Sequence, residues 1–559
     1  MSSGHGVRQR LTPKLWTVLK EGYSFPRFRA DAMAGLTVAI VALPLSMALG
    51  VASGASPDKG LVTAVVAGLL ISVLGGSRVQ VGGPTGAFVV VVFNIIATHG
   101  YDGLLLATLL AGFILTGAGL MKLGRMIRFI PHPVITGFTA GIAVIIASSQ
   151  VKDFFGLSME NVPADFLPKW QAYLRAVGTI DMPTLAVGAG ALALVVALRR
   201  FAPRLPGFLA AIVASSLAAS VLGLPVETIG SRFPDIPSGL PAPALPNISV
   251  AAVTQVLPSA FTIAFLAGIE ALLSAVVADG MAGTRHRSSQ ELVGQGVANI
   301  GSALFGGLPA TGAIARTATN VRAGGRTPVA GIMHALFLLL FVLFATDLMA
   351  YVPMAALAAI LFVVAWGMSE IGRFIALMKL GGSDRTVLLL TFFLTVFVDL
   401  TVAIGVGVTV ASLVFMARMS EAVEFGDDDG PDDEEQEEQT QRDSLPPGVE
   451  VFRINGPLFF GVAGELLDTL RRMGQKPGVI ILRMRLVPLL DVSGITMIKE
   501  FVEQTRLAGT RLILSGVRPE PRAMLSRAGL VEGEDLYFVP DYRAALALAS
   551  SWTETRESR

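Results

Sequence analysis

The stretches VGGPTGAF (Val81–Phe88) and FGGLPATGAIARTATN (Phe305–Asn320) break two apolar segments with glycine and proline. The two breaks align with each other, since Thr85–Phe88 (TGAF) matches Thr311–Ile314 (TGAI). Ordinary packing glycines beside a proline kink are one explanation of such a pattern. Broken helices at corresponding places in two halves of a chain are, however, typical of transporters, where they form the substrate site. The pattern therefore predicts a membrane protein with two half-helices at its centre.

The composition also indicates a membrane protein. Of the 559 residues, 53% are hydrophobic and only 15% are charged, whereas soluble domains are about 25% charged. This excludes a purely soluble or a disordered protein, and the 60 glycines indicate closely packed membrane helices. Several predicted segments are shorter than the roughly 20 residues of a straight membrane span. The fourteen apolar segments are residues 32–54, 60–75, 84–98, 103–121, 131–151, 182–198, 206–223, 255–279, 291–305, 312–321, 328–349, 353–369, 386–399 and 401–419.

The positive charges indicate how these segments cross the bilayer. With a cytoplasmic N-terminus, the predicted internal segments hold 21 Lys and Arg residues and the external loops hold 5. This bias follows the positive-inside rule, and an odd number of crossings would remove it. The first 30 residues are polar and basic, without a recognisable secretory signal peptide. We therefore predict a multi-pass protein in the lipid bilayer with both termini in the cytoplasm.

The chain changes character near residue 420. Residues 1–420 carry a net charge of +10 and residues 421–559 a net charge of −9. The run 427–438 contains nine carboxylates, which is typical of an extended linker, with calcium or partner binding as the alternative. Strand-like runs then alternate with helical patterns, which predicts a compact α/β domain. The strands are predicted at 449–454, 479–484 and 511–515, and the helices near 463–473, 494–507, 519–528 and 541–551.

These observations predict four parts of the chain. They are a cytoplasmic N-terminal segment (1–30), a transmembrane domain (31–420), an acidic linker (421–447) and the cytoplasmic α/β domain (448–552).

The half-helices favour an anionic ligand. A helix that begins in the middle of a membrane exposes backbone N–H groups and the positive end of its dipole. Pro84 fits the first turn of such a helix, where proline loses no hydrogen bond. Gly82, Gly83, Gly86 and Gly312 would let a ligand approach the backbone closely. Two such helix starts facing each other would form a pocket for a small anion.

Two charged residues lie deep inside the apolar segments, whereas Asp279, Asp347 and Asp399 lie near segment ends, where we expect them at the membrane interface. Arg316 lies one turn into the tenth segment, and it either completes the anion site or pairs with a carboxylate to lock two helices. Glu270 is the only carboxylate deep inside a long segment. It either carries a proton or serves as a structural acid bonded to backbone groups. His132 and His334 lack a partner pattern, and we interpret both as structural.

No motif in the sequence predicts an enzyme. The absence of cysteine excludes disulfides, thiolate catalysis and cysteine-bound metals. The sequence also contains no GxxxxGK[ST], HExxH or GxSxG motif. We predict that the chain is not an enzyme, uses no cofactor or metal and binds no nucleic acid. A gradient, rather than bound ATP, would drive any uphill movement of substrate.

Three stretches resemble a known family. GLTVAIVALPLSMALG (Gly35–Gly50), GGSRVQVGGPTGAF (Gly75–Phe88) and ELVGQGVANIGSALFGG (Glu291–Gly307) closely resemble the SulP family of anion permeases. The C-terminal part resembles its companion STAS domain (sulfate transporter and anti-sigma factor antagonist). The resemblance implies seven plus seven inverted repeats, with half-helices at segments three and ten. It also implies a core domain (segments one to four and eight to eleven), a gate domain (five to seven and twelve to fourteen), a homodimer and an elevator-like movement.

The resemblance also implies a substrate site and a substrate class. The site falls on Leu43, Pro44, Thr85, Gly86, Ala87, Phe88, Glu270, Ala313, Ile314, Ala315 and Arg316. The run GMAGTRHRSSQELVGQG (Gly280–Gly296) and the glutamate before it resemble the bacterial branch that takes up C4-dicarboxylates with protons. Glu270 would then couple transport to protons. Some family members have a hydroxyl residue where Ala313 or Ala315 stands, which counts against sulfate here.

The expected function is therefore secondary active uptake of an anion through a bacterial inner membrane, with proton-coupled C4-dicarboxylate uptake as the first interpretation. Sulfate transport and bicarbonate transport, with sodium as another coupling ion, are alternatives within the same class. A passive anion channel is a second class. A third is a membrane-tethered regulator, in which the STAS domain acts on an unknown cytoplasmic partner.

One residue of the C-terminal domain is a candidate for regulation. LLDVSG (Leu489–Gly494) resembles the loop whose serine is phosphorylated in anti-sigma factor antagonists, which makes Ser493 a candidate phosphosite. A phosphate there would be favoured by the start of the following helix. The alternative is that Asp491 or Ser493 simply caps that helix.

Overall fold

The chain forms two compact units, residues 1–409 and 410–559. The computed structural model describes residues 11–125, 131–159, 162–163, 165–203, 205–234, 236–380, 382–398, 400–421, 424–426, 445–458, 477–533 and 535–557.

The first unit consists of helices and one short pair of strands. The helices are α1 (Lys14–Lys20), α2 (Phe25–Ala52), α3 (Pro57–Leu74), α4 (Ala87–Leu120), α5 (His132–Ser149), α6 (Val151–Phe155), α7 (Phe166–Ala176), α8 (Met182–Phe201), α9 (Gly207–Val221), α10 (Ile229–Arg232), α11 (Val250–Ala282), α12 (Ser288–Leu304), α13 (Ile314–Arg322), α14 (Pro328–Phe344), α15 (Met354–Met368), α16 (Ile371–Leu380), α17 (Gly382–Phe397) and α18 (Leu400–Glu421). The strands are β1 (Gly82–Gly83) and β2 (Thr311–Gly312). Helix α18 continues past residue 409 into the second unit.

All fourteen predicted apolar segments coincide with helices. The third and fourth segments share α4, which breaks at Gly100, where φ is 71° and ψ is −179°. Eight helices in the described part of the chain are long and apolar enough to cross a membrane. The prediction of a polytopic helical membrane domain is therefore confirmed, while the inverted repeats stay a prediction.

Glycines allow α4 and α12 to pack closely. A Cβ atom at Gly112 would lie 2.7 Å from the carbonyl oxygen of Gly296, and a Cβ atom at Gly296 would lie 2.6 Å from the carbonyl oxygen of Gly112. A carbon atom cannot lie so close to an oxygen without moving a helix backbone. The contact therefore requires glycine on both helices, which is one reason for the high glycine content.

A buried carboxylate connects α12 to the segment between α3 and β1. Glu291 is fully buried, and its Oε2 accepts hydrogen bonds from the backbone N–H groups of Gly76 (2.7 Å) and Ser77 (3.0 Å). Its Oε1 accepts a hydrogen bond from Gln295 Nε2 at 2.8 Å. Buried polar groups are stable when they are hydrogen-bonded in this way, so Glu291 stabilises the approach of the chain to β1.

We expect Glu291→Gln to lower the stability of the protein. An amide at this position would turn an NH₂ group toward N–H donors, so at least one bond to Gly76, Ser77 or Gln295 would be lost. A buried donor left unpaired costs about 1–3 kcal/mol. The melting temperature of the detergent-purified protein measures this loss, and Asp347→Asn, at an exposed carboxylate, is the matched control. An unchanged melting temperature for Glu291→Gln would contradict this stabilising role.

The second unit contains a five-stranded sheet. Its order is β3 (Glu424–Gly426), β4 (Val449–Asn455), β5 (Val479–Arg483), β6 (Arg511–Ser515) and β7 (Leu536–Val539). Strand β3 pairs antiparallel with β4, and the other neighbours pair parallel. Within residues 445–458, 477–533 and 535–557, three helices accompany the sheet: Val492–Leu507, Pro519–Arg527 and Tyr542–Glu557.

Side chains alternate between the two faces of this sheet. Ile480 and Leu482 of β5 join a core that includes Phe501 of the helix Val492–Leu507. Ile481, between them, joins a second core with Ala545 of the helix Tyr542–Glu557. Helices on both faces are expected for a parallel sheet, whose strands are buried on either side.

The three predicted strands are confirmed as β4, β5 and β6, and three of the four predicted helices are present. The fourth, near 463–473, lies outside the described residues. Strand β7 was not predicted, and β3 lies within the stretch predicted as linker.

Candidate functional site

Strands β1 and β2 bring the starts of α4 and α13 together. They pair antiparallel, with Gly82 opposite Gly312. The N–H of Ala313 donates to the carbonyl oxygen of Val81 at 3.0 Å, and the N–H of Val81 donates to Thr317 Oγ1 at 3.1 Å. These bonds hold the start of α4, which follows β1, beside the start of α13, which follows β2.

Both helix starts have unused backbone donors. No described residue accepts a hydrogen bond from the N–H of Gly86 or Ala87 at the start of α4. The same is true of Ile314, Ala315 and Arg316 at the start of α13. Unpaired N–H groups and the positive ends of two helix dipoles make this region suited to a negative charge.

Arg316 adds a full positive charge to the same region. Its side chain is only 1% exposed, and its Nη2 donates to Ser46 Oγ (3.2 Å) and to the carbonyl oxygen of Pro84 (3.1 Å). Its Nε and Nη1 have no partner among the described residues, and no described carboxylate forms an ion pair with it. The described part of the chain therefore offers no carboxylate with which Arg316 could lock two helices. A buried guanidinium with two unused N–H donors can instead bind an anion.

Glu270 lies beside the start of α4. The hydroxyl of Thr85 donates to Glu270 Oε2 at 2.9 Å, which connects α11 with the loop between β1 and α4. Both side chains are half-buried. A carboxylate in this position can be protonated or ionised while its link to Thr85 is kept, because the hydroxyl can donate to either form.

The remaining predicted residues on α2 and α4 lie close in the chain to residues that form these contacts. Leu43 is half-buried and Pro44 is buried, and both lie on α2 within one turn of Ser46, the residue that contacts Arg316. Phe88 is buried in the first turn of α4. Helices α2, α4, α11 and α13 therefore all contribute to one region, as the substrate-site prediction requires.

One side of this region is open and another is covered. Ala313 is buried, whereas Ile314 is 42% exposed, so the start of α13 faces open space. Ile146 of α5 and Met368 of α15 lie against Gly86 at the start of α4. Sequence reasoning missed Ser46, Ile146 and Met368, because nothing in their own segments distinguishes them from ordinary helix residues.

Ser493 belongs to the second unit and is not part of this region. It is half-buried in the first turn of the helix Val492–Leu507. The side chain of Asp491 accepts a hydrogen bond from the N–H of Gly494 at 2.7 Å, so Asp491 caps the helix as the structural alternative predicted. Phosphorylation of Ser493 stays a prediction.

This chain matches two known families and is similar to known transporters. Residues 28–391 match the sulfate permease family, and residues 444–538 match the STAS domain. The chain is 39% identical over 513 residues to "Putative sulfate transporter YvdB" of Bacillus subtilis (strain 168), covering 91% of this chain and 95% of that protein. It is 31% identical over 527 residues to "Bicarbonate transporter BicA" of Synechocystis sp. (strain ATCC 27184 / PCC 6803 / Kazusa), covering 90% and 91%.

Two solved structures are similar to this chain. The transmembrane domain of a cyanobacterial bicarbonate transporter, BicA, is 32% identical and aligns with a TM-score of 0.62 over 68% of this chain and 98% of that one. The overall structure of SLC26A9 aligns with a TM-score of 0.84 over 98% of this chain and 94% of that one, at 16% identity. The second alignment shows that this chain shares its fold with SLC26A9.

Proposed function

This chain belongs to the sulfate permease family and carries a C-terminal STAS domain, and from that premise we propose that it transports a small oxyanion, bicarbonate or sulfate, across a bacterial inner membrane. It is a multi-pass membrane protein and a secondary anion transporter, not an enzyme. The identity of the anion, the coupling ion and the membrane are what we propose.

The observation that carries the proposal is the unpaired guanidinium of Arg316 beside two helix starts. Its Nε and Nη1 have no partner among the described residues, and each carries an N–H group that can donate to an oxygen atom of an anion, although the two lie on different edges of the planar group. The unused N–H groups of Gly86 and Ala315 supply further donors. Such donors are preorganised, and a membrane interior with few competing waters strengthens their attraction for an anion.

The names of the relatives favour an inorganic oxyanion. One is named as a sulfate transporter and another as a bicarbonate transporter. The alanines at 313 and 315 provide no side-chain hydroxyl, which favours bicarbonate, with three oxygens, over sulfate, with four. C4-dicarboxylate uptake, predicted from the sequence, is the second candidate, since a terminal carboxylate could accept hydrogen bonds from the same guanidinium.

Glu270 supports coupling to protons. An ionised carboxylate hydrogen-bonded to Thr85 would repel an anion bound at the start of α4, whereas a protonated one would not. Binding of anion and proton would therefore favour each other, which is the requirement for symport. Sodium is the alternative coupling ion, because it would neutralise the same carboxylate.

We also propose that the chain forms a homodimer, has cytoplasmic termini and moves its substrate by an elevator-like displacement.

Uptake into proteoliposomes tests the proposal. The purified full-length protein would be supplied with radiolabelled bicarbonate, sulfate or succinate, with an acid-outside pH gradient, an inward sodium gradient or no gradient. We expect gradient-dependent accumulation of bicarbonate or sulfate above the level in protein-free liposomes, which measure the label that crosses the bilayer as CO₂. Accumulation of succinate alone would support the second candidate. No uptake of any of the three anions by correctly folded protein would contradict the proposal, and ion currents far above carrier rates would indicate a channel.

Gly83→Ala should reduce transport by displacing Arg316. A Cβ atom at Gly83 would lie 2.1 Å from Arg316 Nη1, and the backbone φ of Gly83 is +151°. We expect the uptake rate to fall at least about tenfold, because the displaced guanidinium would lose a single charge-assisted hydrogen bond to the anion, and the energy of one such bond corresponds to a factor of this size. Gly100→Ala is the matched control, since Gly100 has φ of +71° but no neighbouring atom within 4 Å. Equal uptake by the two variants would show that the contact with Arg316 does not matter.

A further inference from the structure

The start of α4 is covered by two side chains from helices that do not form the anion site. A Cβ atom at Gly86 would lie 2.5 Å from Met368 Sδ and 3.4 Å from Met368 Cε. It would also lie 3.3 Å from Ile146 Cδ1. Met368 is the last residue of α15 and Ile146 lies in α5, and these two helices pack against each other. Met368 and Ile146 therefore form an apolar wall of the site, and both belong to helices other than α2, α4, α11 and α13.

This wall lies where an anion would bind. Gly86 carries one of the unused backbone N–H groups at the start of α4, and it follows Thr85, which holds Glu270. An anion that accepts a hydrogen bond from Gly86 must fit between this backbone and the side chains that cover it. The space at Gly86 is therefore limited by Met368 and Ile146.

The chemistry of methionine suits such a wall. Its unbranched side chain and polarisable sulfur can change conformation at little cost, so the thioether can follow a moving surface. An apolar group beside the donors also excludes water, which strengthens the attraction between a bound anion and Arg316. A bulky organic anion, in contrast, would have to displace the thioether, at a cost in free energy.

We infer that Met368, supported by Ile146, sets the upper size of the anion that this transporter accepts. The inference rests on the proposed function and adds to it a residue that determines specificity. It makes Met368 a contact of the bound anion, rather than only a packing residue of α15. The wall admits a small inorganic oxyanion and disfavours a C4-dicarboxylate.

Competition measurements on Met368→Ala test the inference. Uptake of labelled bicarbonate or sulfate, whichever the wild type transports, would be competed with unlabelled succinate in full-length protein. We expect succinate to inhibit the alanine variant at about tenfold lower concentration than the wild type. Adding or removing one methylene group in an apolar pocket changes discrimination between substrates by about this factor or more. Met354→Ala is the matched control, because Met354 is buried in the same helix at its opposite end.

Two further variants separate specificity from stability. Met368→Leu preserves most of the volume, so it should retain the wild-type response to succinate. Gly86→Ala should reduce uptake, and Gly86→Ala combined with Met368→Ala should recover it, because the second change removes the atoms that the new methyl group meets.

The outcomes distinguish this inference from the proposed function. If the wild type transports an anion but Met368→Ala has the same succinate response as Met354→Ala, the inference is overturned and the proposed function stands. If the wild type transports none of the tested anions, the proposed function fails and the inference fails with it. If Met368→Ala does not fold, Ile146→Val replaces it in the succinate competition, because it removes only the Cδ1 atom that lies over Gly86. A succinate response of Ile146→Val equal to that of the wild type would then overturn the inference.

Discussion

Arg316→Met is expected to abolish anion uptake without lowering the melting temperature of the protein. The guanidinium is buried with two nitrogens unpaired, so its charge is unfavourable in the absence of an anion. Methionine has a similar length and no charge, and replacing buried charges by apolar groups is often neutral or stabilising. Loss of function with retained stability would indicate that the arginine is kept for its ligand.

The expected loss of uptake is large. Two charge-assisted hydrogen bonds contribute about 3 kcal/mol or more, which corresponds to about 100-fold or more in affinity. Concentration-dependent uptake of the labelled anion in proteoliposomes would measure it. Arg322→Ala is the matched control, because Arg322 is exposed at the other end of α13 and should leave uptake unchanged. A clear fall in the melting temperature of Arg316→Met, with uptake by the remaining folded protein intact, would instead show a structural role.

Glu270→Gln is expected to uncouple transport from the proton gradient. Glutamine cannot release or bind a proton, but its carbonyl oxygen can still accept the hydrogen bond from Thr85, so the local structure should be kept. A gradient of about one pH unit supplies about 1.4 kcal/mol per proton, or about tenfold accumulation. We expect this accumulation in the wild type and none in the variant.

Exchange measurements complete this test. Exchange of labelled for unlabelled anion needs no net proton movement, so Glu270→Gln should still carry it out. Glu291→Gln is the matched control, because Glu291 is a buried carboxylate with structural partners only, and its folded fraction should keep the gradient response. Undiminished gradient-driven accumulation by Glu270→Gln would show that the proton is carried elsewhere or that another ion drives transport.

Much of the fold follows from patterns that are local in the sequence. The apolar segments predicted the helices, since burial of apolar side chains in a membrane requires continuous runs of them. The paired breaks at Val81–Phe88 and Phe305–Asn320 predicted that a helix begins at each of them, as α4 and α13 do, since glycine and proline restrict the backbone in known ways. The strands at 449–454 and 479–484 were predicted from their β-branched and aliphatic residues. The weaker strand β7 was not, because its run of four residues is short.

The candidate site was predicted only in part. Arg316 and Glu270 were recognised because an ionisable residue is exceptional in an apolar segment. Their roles stayed open, since a charge in a sequence does not reveal its neighbours. The structure excludes a carboxylate partner for Arg316 within the described residues and gives Glu270 a partner, Thr85.

The sequence was sufficient to establish a helical membrane protein with two broken helices, an attached α/β domain and a family membership. These properties depend on composition, spacing and short motifs, each of which acts within one segment. The contacts of Arg316 with Ser46, 270 positions away, and of Gly86 with Met368 could be known only from the folded chain. They depend on how separate helices pack, and the spacing of residues along any single helix does not specify which distant side chain it will meet.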